Sequence, residues 1–174
     1  GDVMYDAVRY YADRARAEVS LERFGLVEKG YALCTLHRQE NTDDPRRLAA
    51  ILSALGAVAL ERPVVLPLHP RTRLKIAGLN GPDLLDGLTV LDPLPYLEMQ
   101  RLQMDAQLIL TDSGGMQKEA YFHGVPCITC ITCNKGVPFG SGYHDGIKYG
   151  HGTIDRWGVW IGHALKQGTA FRRM

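Results

Sequence analysis

The chain has 174 residues, 45% of them hydrophobic and 22% charged, with a formal net charge of +1. That suits one globular domain with a full core and gives no electrostatic case for a nucleic-acid or membrane partner. No apolar run approaches the roughly 20 residues that span a bilayer, and four cysteines in a chain this size do not make a disulfide scaffold. A reducing cytoplasm is the expected setting.

Taken in chain order, the opening Gly1-Asp2-Val3-Met4-Tyr5-Asp6 carries no basic region and no signal-like apolar block. Met4, Val8, Tyr11 and Ala15 recur at helical spacing, which predicts a helix from Val3 to about Arg23 with Gly25 as its stop. The run from Tyr31 to Leu36 reads as a buried strand. Asp44-Pro45 reads as a helix cap followed by proline at the first helical position, with Leu48, Ile51, Leu52 and Leu55 on one face. Val64 to Leu68 is a second strand and Arg71 to Ala77 a short helix. Leu88 to Leu91 is a third strand, and Tyr96 to Met104 a helix. Leu108 to Thr111 is a fourth strand, Gly115 to His123 a helix, and Cys127 to Thr129 a fifth strand. Five alternations with short connections predict an α/β fold, an open parallel sheet with helices on both faces.

Residues 134–174 differ in composition. They hold nine of the nineteen glycines, one leucine and no glutamate. Apart from a helical pattern around Trp157 to Leu165, they show no clean period. The expected organisation is a domain over 1–129, with 130–174 as an atypical tail that continues or caps it.

Ligands of open parallel sheets bind beyond the carboxyl ends of the strands. His37-Arg38-Gln39-Glu40-Asn41 follows the first strand and His69-Pro70-Arg71-Thr72 the second. Asp92-Pro93-Leu94-Pro95-Tyr96 follows the third, and Asp112-Ser113-Gly114-Gly115 the fourth. So many cationic and donor groups along one rim point to an anion. At Ser113-Gly114-Gly115, glycines would let a phosphate approach backbone N–H groups at a helix start, where the helix dipole adds about half a positive charge. A plain strand-to-helix turn capped by Ser113 or Asp112 fits the same residues. The segment is neither a Walker A loop nor a Gly-x-Gly-x-x-Gly fingerprint. Glu119, six residues after Ser113, could accept from a ribose diol or be a solvated helix glutamate. His37 could donate to a leaving phosphate or act as a general acid, or it could satisfy loop backbone. Arg71, beside His69, could fork onto a phosphate or carboxylate, or pair with a local acid. Cys127, Cys130 and Cys133, with Cys34, have thiolate spacing, but a tandem Cys-Ile-Thr repeat generates that spacing by itself. No metal is expected there. His144, His151 and His163 lack ligand spacing.

These rim segments together resemble the non-hydrolysing UDP-N-acetylglucosamine 2-epimerases. The resemblance rests on His37 to Asn41, His69 to Thr72, Asp92 to Leu97 and the long run Thr111 to Ala120, and it covers about residues 1 to 129. It implies a Rossmann-like sheet of the kind found as the C-terminal domain of a two-domain GT-B enzyme. It also implies UDP or UDP-N-acetylglucosamine as ligand. Ser113, Gly114 and Gly115 would hold the phosphates, Glu119 the ribose, and Leu94 and Met99 the uracil. His37 would contact the diphosphate and is the candidate catalytic residue; His69 and Arg71 complete the substrate-binding set. Met99 stands where some members carry an aromatic, and Cys130-Ile131-Thr132-Cys133-Asn134 replaces an Arg-Asp-x-Thr-Glu type segment.

Family chemistry eliminates UDP to give a 2-acetamidoglucal and adds it back after proton exchange at C2. The carboxylates that serve as acid and base belong to an N-terminal domain, the expected partner. No cofactor is expected, and a homodimer stays open. Three other readings fit the same residues: a non-catalytic UDP-sugar-binding module, a remnant, and a fragment of a hydrolysing epimerase.

Overall fold

A computed structural model of the chain describes residues 2–79, 83–129 and 150–151. Helix α1 (Val3–Glu18) starts at Asp2, whose side chain accepts from the Met4 N–H at 3.0 Å. Its end is earlier than the apolar period implies. Val19 is already extended, Ser20 Oγ accepts from the Glu22 N–H at 3.2 Å, and Gly25 closes the 3-10 turn Glu22–Phe24 at φ +68°. Leu21 and Leu26 are buried, so they extend the apolar pattern after the helix has stopped.

Strand β1 (Ala32–Thr35) is followed by a short helix, α2 (Gln39–Thr42), which has no apolar period and was not expected. Helix α3 (Pro45–Ala59) begins at Asp44, which accepts from Arg46 and Arg47 at 2.9 and 3.2 Å. Then come β2 (Val64–Pro67), α4 (Pro70–Ala77), β3 (Thr89–Leu91) and α5 (Tyr96–Asp105). The last elements are β4 (Leu108–Thr111), α6 (Gly114–Phe122), β5 (Cys127–Thr129) and β6 (Gly150–His151). The Trp157 to Leu165 helix lies outside the described residues.

All strand pairs are parallel, in the order β3-β2-β1-β4-β5-β6. Among the described residues the sheet therefore has one strand more than the five expected. Alternation along the strands sorts the core into two faces. Ala32, Cys34, Val64, Leu66, Leu108 and Leu110 meet Leu48, Ile51, Leu52 and Leu55 of α3. Leu33, Val65 and Ile109 meet Leu102, Met116 and Ala120 from α5 and α6. α1 packs along α5 and α6, with Tyr11 edge-on to Tyr96 at 5.5 Å between ring centroids.

His123 ends α6 partly buried, and burial, then the charges of Arg16 and Lys29, lower its pKa to about 4. The unfolded chain, with an ordinary histidine near 6.5, takes up that proton first as pH falls. The stability His123 confers is full above about 6.5 and is lost as pH drops toward 4. Its ceiling is about 1.4 kcal/mol per pH unit, reduced by the ring's partial exposure. Melting of wild type and His123→Gln should therefore diverge between pH 7 and 4.5, with the variant less acid-sensitive. Parallel profiles would remove this account.

Candidate functional site

The order of the sheet reverses between β1 and β4, and a doubly wound sheet opens a ligand crevice at such a point, beyond the strand carboxyl ends. The two strands are in register there, with Thr35 beside Thr111 and their buried hydroxyls 2.7 Å apart. The loops that leave them carry His37 and Ser113.

Asp112 joins those loops. It is fully buried, and its carboxylate accepts from the His37 N–H at 2.9 Å, the Arg38 N–H at 2.9 Å and Asn41 Nδ2 at 3.0 Å. The Asp112 carbonyl accepts from Arg38 Nε at 2.7 Å. A buried carboxylate needs this many donors to offset its lost hydration. The stitch fixes α2 and holds the exposed His37 side chain at the rim. Asp112 was expected at most as a cap, so this role is a finding. Its partners lie more than seventy residues away in sequence, where no local pattern reaches.

Ser113 is the cap of α6. Its Oγ accepts from the Met116 N–H at 3.4 Å, and its own N–H is held by Thr111 Oγ1 at 3.0 Å. Gly114 and Gly115 open the helix. A Cβ added at Gly114 would meet nothing within 4 Å, whereas one at Gly115 would touch Ser113 Oγ at 3.7 Å and Met4 Cε at 3.9 Å. Gly114 thus faces open space at the positive end of the helix dipole, where an anion is favoured.

His37, Thr42, His69, Arg71 and Thr72 line a cleft of about 240 Å³. His69 Nδ1 caps α4 by accepting from the Arg71 N–H at 3.3 Å. The Arg71 guanidinium lies 3.4 Å from Asp43, which also pairs with Lys75. Of the two roles open to Arg71, the local acid occupies it here, through an exposed pair that costs little to break.

Farther along the rim, Leu94 and Met99 pack against the apolar cluster that includes Leu102 and Met116. Glu119, half-buried on α6, accepts from Gln103 Nε2 at 2.9 Å, and Gln100 donates to the Tyr96 hydroxyl at 2.6 Å. Neither glutamine was anticipated. The signal was a pair of polar residues one turn apart on the buried face of a helix.

Among the described residues no three His, Cys, Asp or Glu form a metal-holding group. Cys34 and Cys127 are buried and unpaired, and burial pushes both thiols up, Cys127 to about 12. Cys130, Cys133, His144 and His163 lie outside the described residues. No described helix is long and apolar enough to cross a membrane.

The fold is Rossmann-like, in the form of the C-terminal domain of GT-B enzymes. The chain belongs to the UDP-N-acetylglucosamine 2-epimerase family, whose model matches residues 1–138. It is 45% identical over 151 residues to UDP-2,3-diacetamido-2,3-dideoxy-D-glucuronate 2-epimerase of Pseudomonas aeruginosa, covering 81% of this chain and 41% of that protein. It is 38% identical over 135 residues to a UDP-N-acetylglucosamine 2-epimerase homolog of Methanococcus maripaludis, covering 74% of this chain and 37% of that protein. A similar solved structure is the UDP-GlcNAc 2-epimerase of Methanocaldococcus jannaschii in complex with UDP-GlcNAc and UDP. Its TM-score is 0.65 at 35% identity, over 74% of this chain and 37% of that one. The chain thus spans about two fifths of the length of these relatives.

Proposed function

We propose that this chain is the UDP-binding half of a nucleotide-sugar 2-epimerase that interconverts UDP-N-acetylglucosamine and UDP-N-acetylmannosamine. The observation that carries the reading is the open helix start at Gly114, set at the reversal point of the sheet and joined through Asp112 to His37. In this reading the diphosphate sits on the N–H groups of Gly114 and Gly115 and takes the Ser113 hydroxyl as a further donor, the Ser113 N–H being held by Thr111. The ribose meets Glu119, and the uracil lies against Leu94 and Met99. His37 donates to the leaving diphosphate as the C1–O bond breaks. His69 and Arg71 lie beyond it along the sugar's path.

The proton at C2 leaves to a carboxylate of the N-terminal domain as UDP is expelled, leaving a 2-acetamidoglucal; a proton then returns to C2 on the other face while UDP re-forms the C1–O bond, giving the inverted centre. In this reading the carboxylates that serve as acid and base belong to the N-terminal domain expected beside this one. The chain alone is therefore expected to bind UDP in the millimolar range or better and to show no epimerase turnover. Calorimetry with UDP checks the first part, and a coupled assay the second. No heat at millimolar UDP, or turnover by the chain alone, would sink the corresponding part.

A second reading of the sugar is favoured by the 45% identity to an enzyme named for a 2,3-diacetamido uronate. The seat described here grips UDP, which both sugars share, and Arg71 could answer a sugar carboxylate. Competition between the two UDP-sugars for the chain separates these readings: a clear preference for the uronate selects the second.

A further inference from the structure

Helices α5 and α6 meet through a polar contact where an apolar one would cost less. Gln100 and Gln103 are 0% and 1% exposed, and the Oε1 of each has no hydrogen-bond partner among the described residues. Burying an unpaired amide oxygen is unfavourable, so each side chain is kept against a cost. For Gln103 the compensation is its Nε2 bond to Glu119 Oε2 at 2.9 Å. Turning the amide over would set oxygen against carboxylate, so chemistry fixes its orientation. Nearby, Tyr96 is braced by Tyr11 and bonded by Gln100. Burial, and then the charge of Glu119, raise the pKa of its phenol. Glu119 is thus held at one oxygen, Oε2, from the α5 side.

Resting on the proposed nucleotide seat, we infer that Gln103 is a positioning residue for ribose recognition. It fixes one oxygen of Glu119 so that the other meets the 2′,3′-diol without first losing side-chain freedom. Glutamate is among the side chains with most rotamer entropy to lose, and pre-ordering it raises affinity without adding a contact to the ligand.

The test compares UDP with 2′,3′-dideoxy-UDP by calorimetry on this chain. The unmodified chain should prefer UDP by roughly tenfold, the scale of a hydrogen bond to a charged group. Gln103→Leu should cut that preference to about twofold and leave the affinity for the dideoxy nucleotide unchanged. Gln103→Met, which keeps the length and loses the donor, should do the same. Adding Gln103→Leu to Glu119→Gln should change nothing further, because the two act through one carboxylate. If both Gln103 variants keep the preference while Glu119→Gln loses it, the inference fails and the ribose role of Glu119 survives. Equal weakening toward both nucleotides would mark Gln103 as merely structural and also overturn it. If Glu119→Gln keeps the preference, or the unmodified chain binds no UDP, the underlying nucleotide reading fails and takes the inference with it.

Discussion

Asp112→Ala should destabilise the chain by roughly 3 kcal/mol and abolish detectable UDP binding. The carboxylate takes donors from His37, Arg38 and Asn41 and is itself fully buried. Truncation removes the shared acceptor of Asn41 Nδ2 and of two loop N–H groups. Each hydrogen bond to a charged group is worth about 1.5–3 kcal/mol, and the three do not add. For a chain of this length the melting temperature should drop by about 6–12 °C. Binding should fail because the His37 loop no longer has a fixed place beside Ser113. Asp112→Asn should fall between, since its amide turns one acceptor into a donor facing other donors. A thermal melt and a UDP titration on the same preparations decide it. An alanine variant that melts like wild type would show that the stitch carries no stability.

Gly114→Val separates the phosphate seat from the fold. A side chain there meets no protein atom within 4 Å, and it stands at the first position of α6, where the helix has made few bonds. The melting temperature should therefore hardly move. UDP affinity should fall at least about tenfold, some 1.4 kcal/mol or more, because the isopropyl group fills the approach to the N–H groups. Gly56, inside α3, likewise has open space for a Cβ. Gly56→Ala should raise stability by roughly 0.5–1 kcal/mol and leave UDP untouched. Unchanged UDP affinity in Gly114→Val would remove the seat from this glycine.

Elements with sharp punctuation were legible from the residues. β4 has the expected bounds because its short apolar run is enclosed by Gln107 and Asp112, and β5 starts where expected, directly after Pro126. α3 announces itself through Asp44-Pro45. The end of α1 was misread because Leu21 and Leu26 continue burial through a 3-10 turn and a loop. Periodicity records burial, and burial outlives the helix. α2 was missed because four residues cannot show a period and tertiary bonds to Asp112 hold it in place. At the rim, the strand-end rule brought His37, His69, Arg71 and Ser113 into view. The sixth strand was not expected, since Gly150-His151 has no strand signature; it is seen only in its parallel pairing with β5.

The joint between β1 and β4 also bears on how the molecule comes into being. His37 and Asp112 are separated by 75 positions, and the strands between them, β2 and β3, build outward on the opposite side of β1. During synthesis one half of the sheet is complete before β4 exists, while one edge of β1 waits. At about 5–20 residues per second that interval is roughly 4–15 s. A nascent chain halted before Leu108 would hold the His37 rim and no place for a nucleotide. On the proposed nucleotide seat, UDP capture would report chains in which both wings of the sheet have closed, and an edge strand left open in the meantime is the part a chaperone would have to guard.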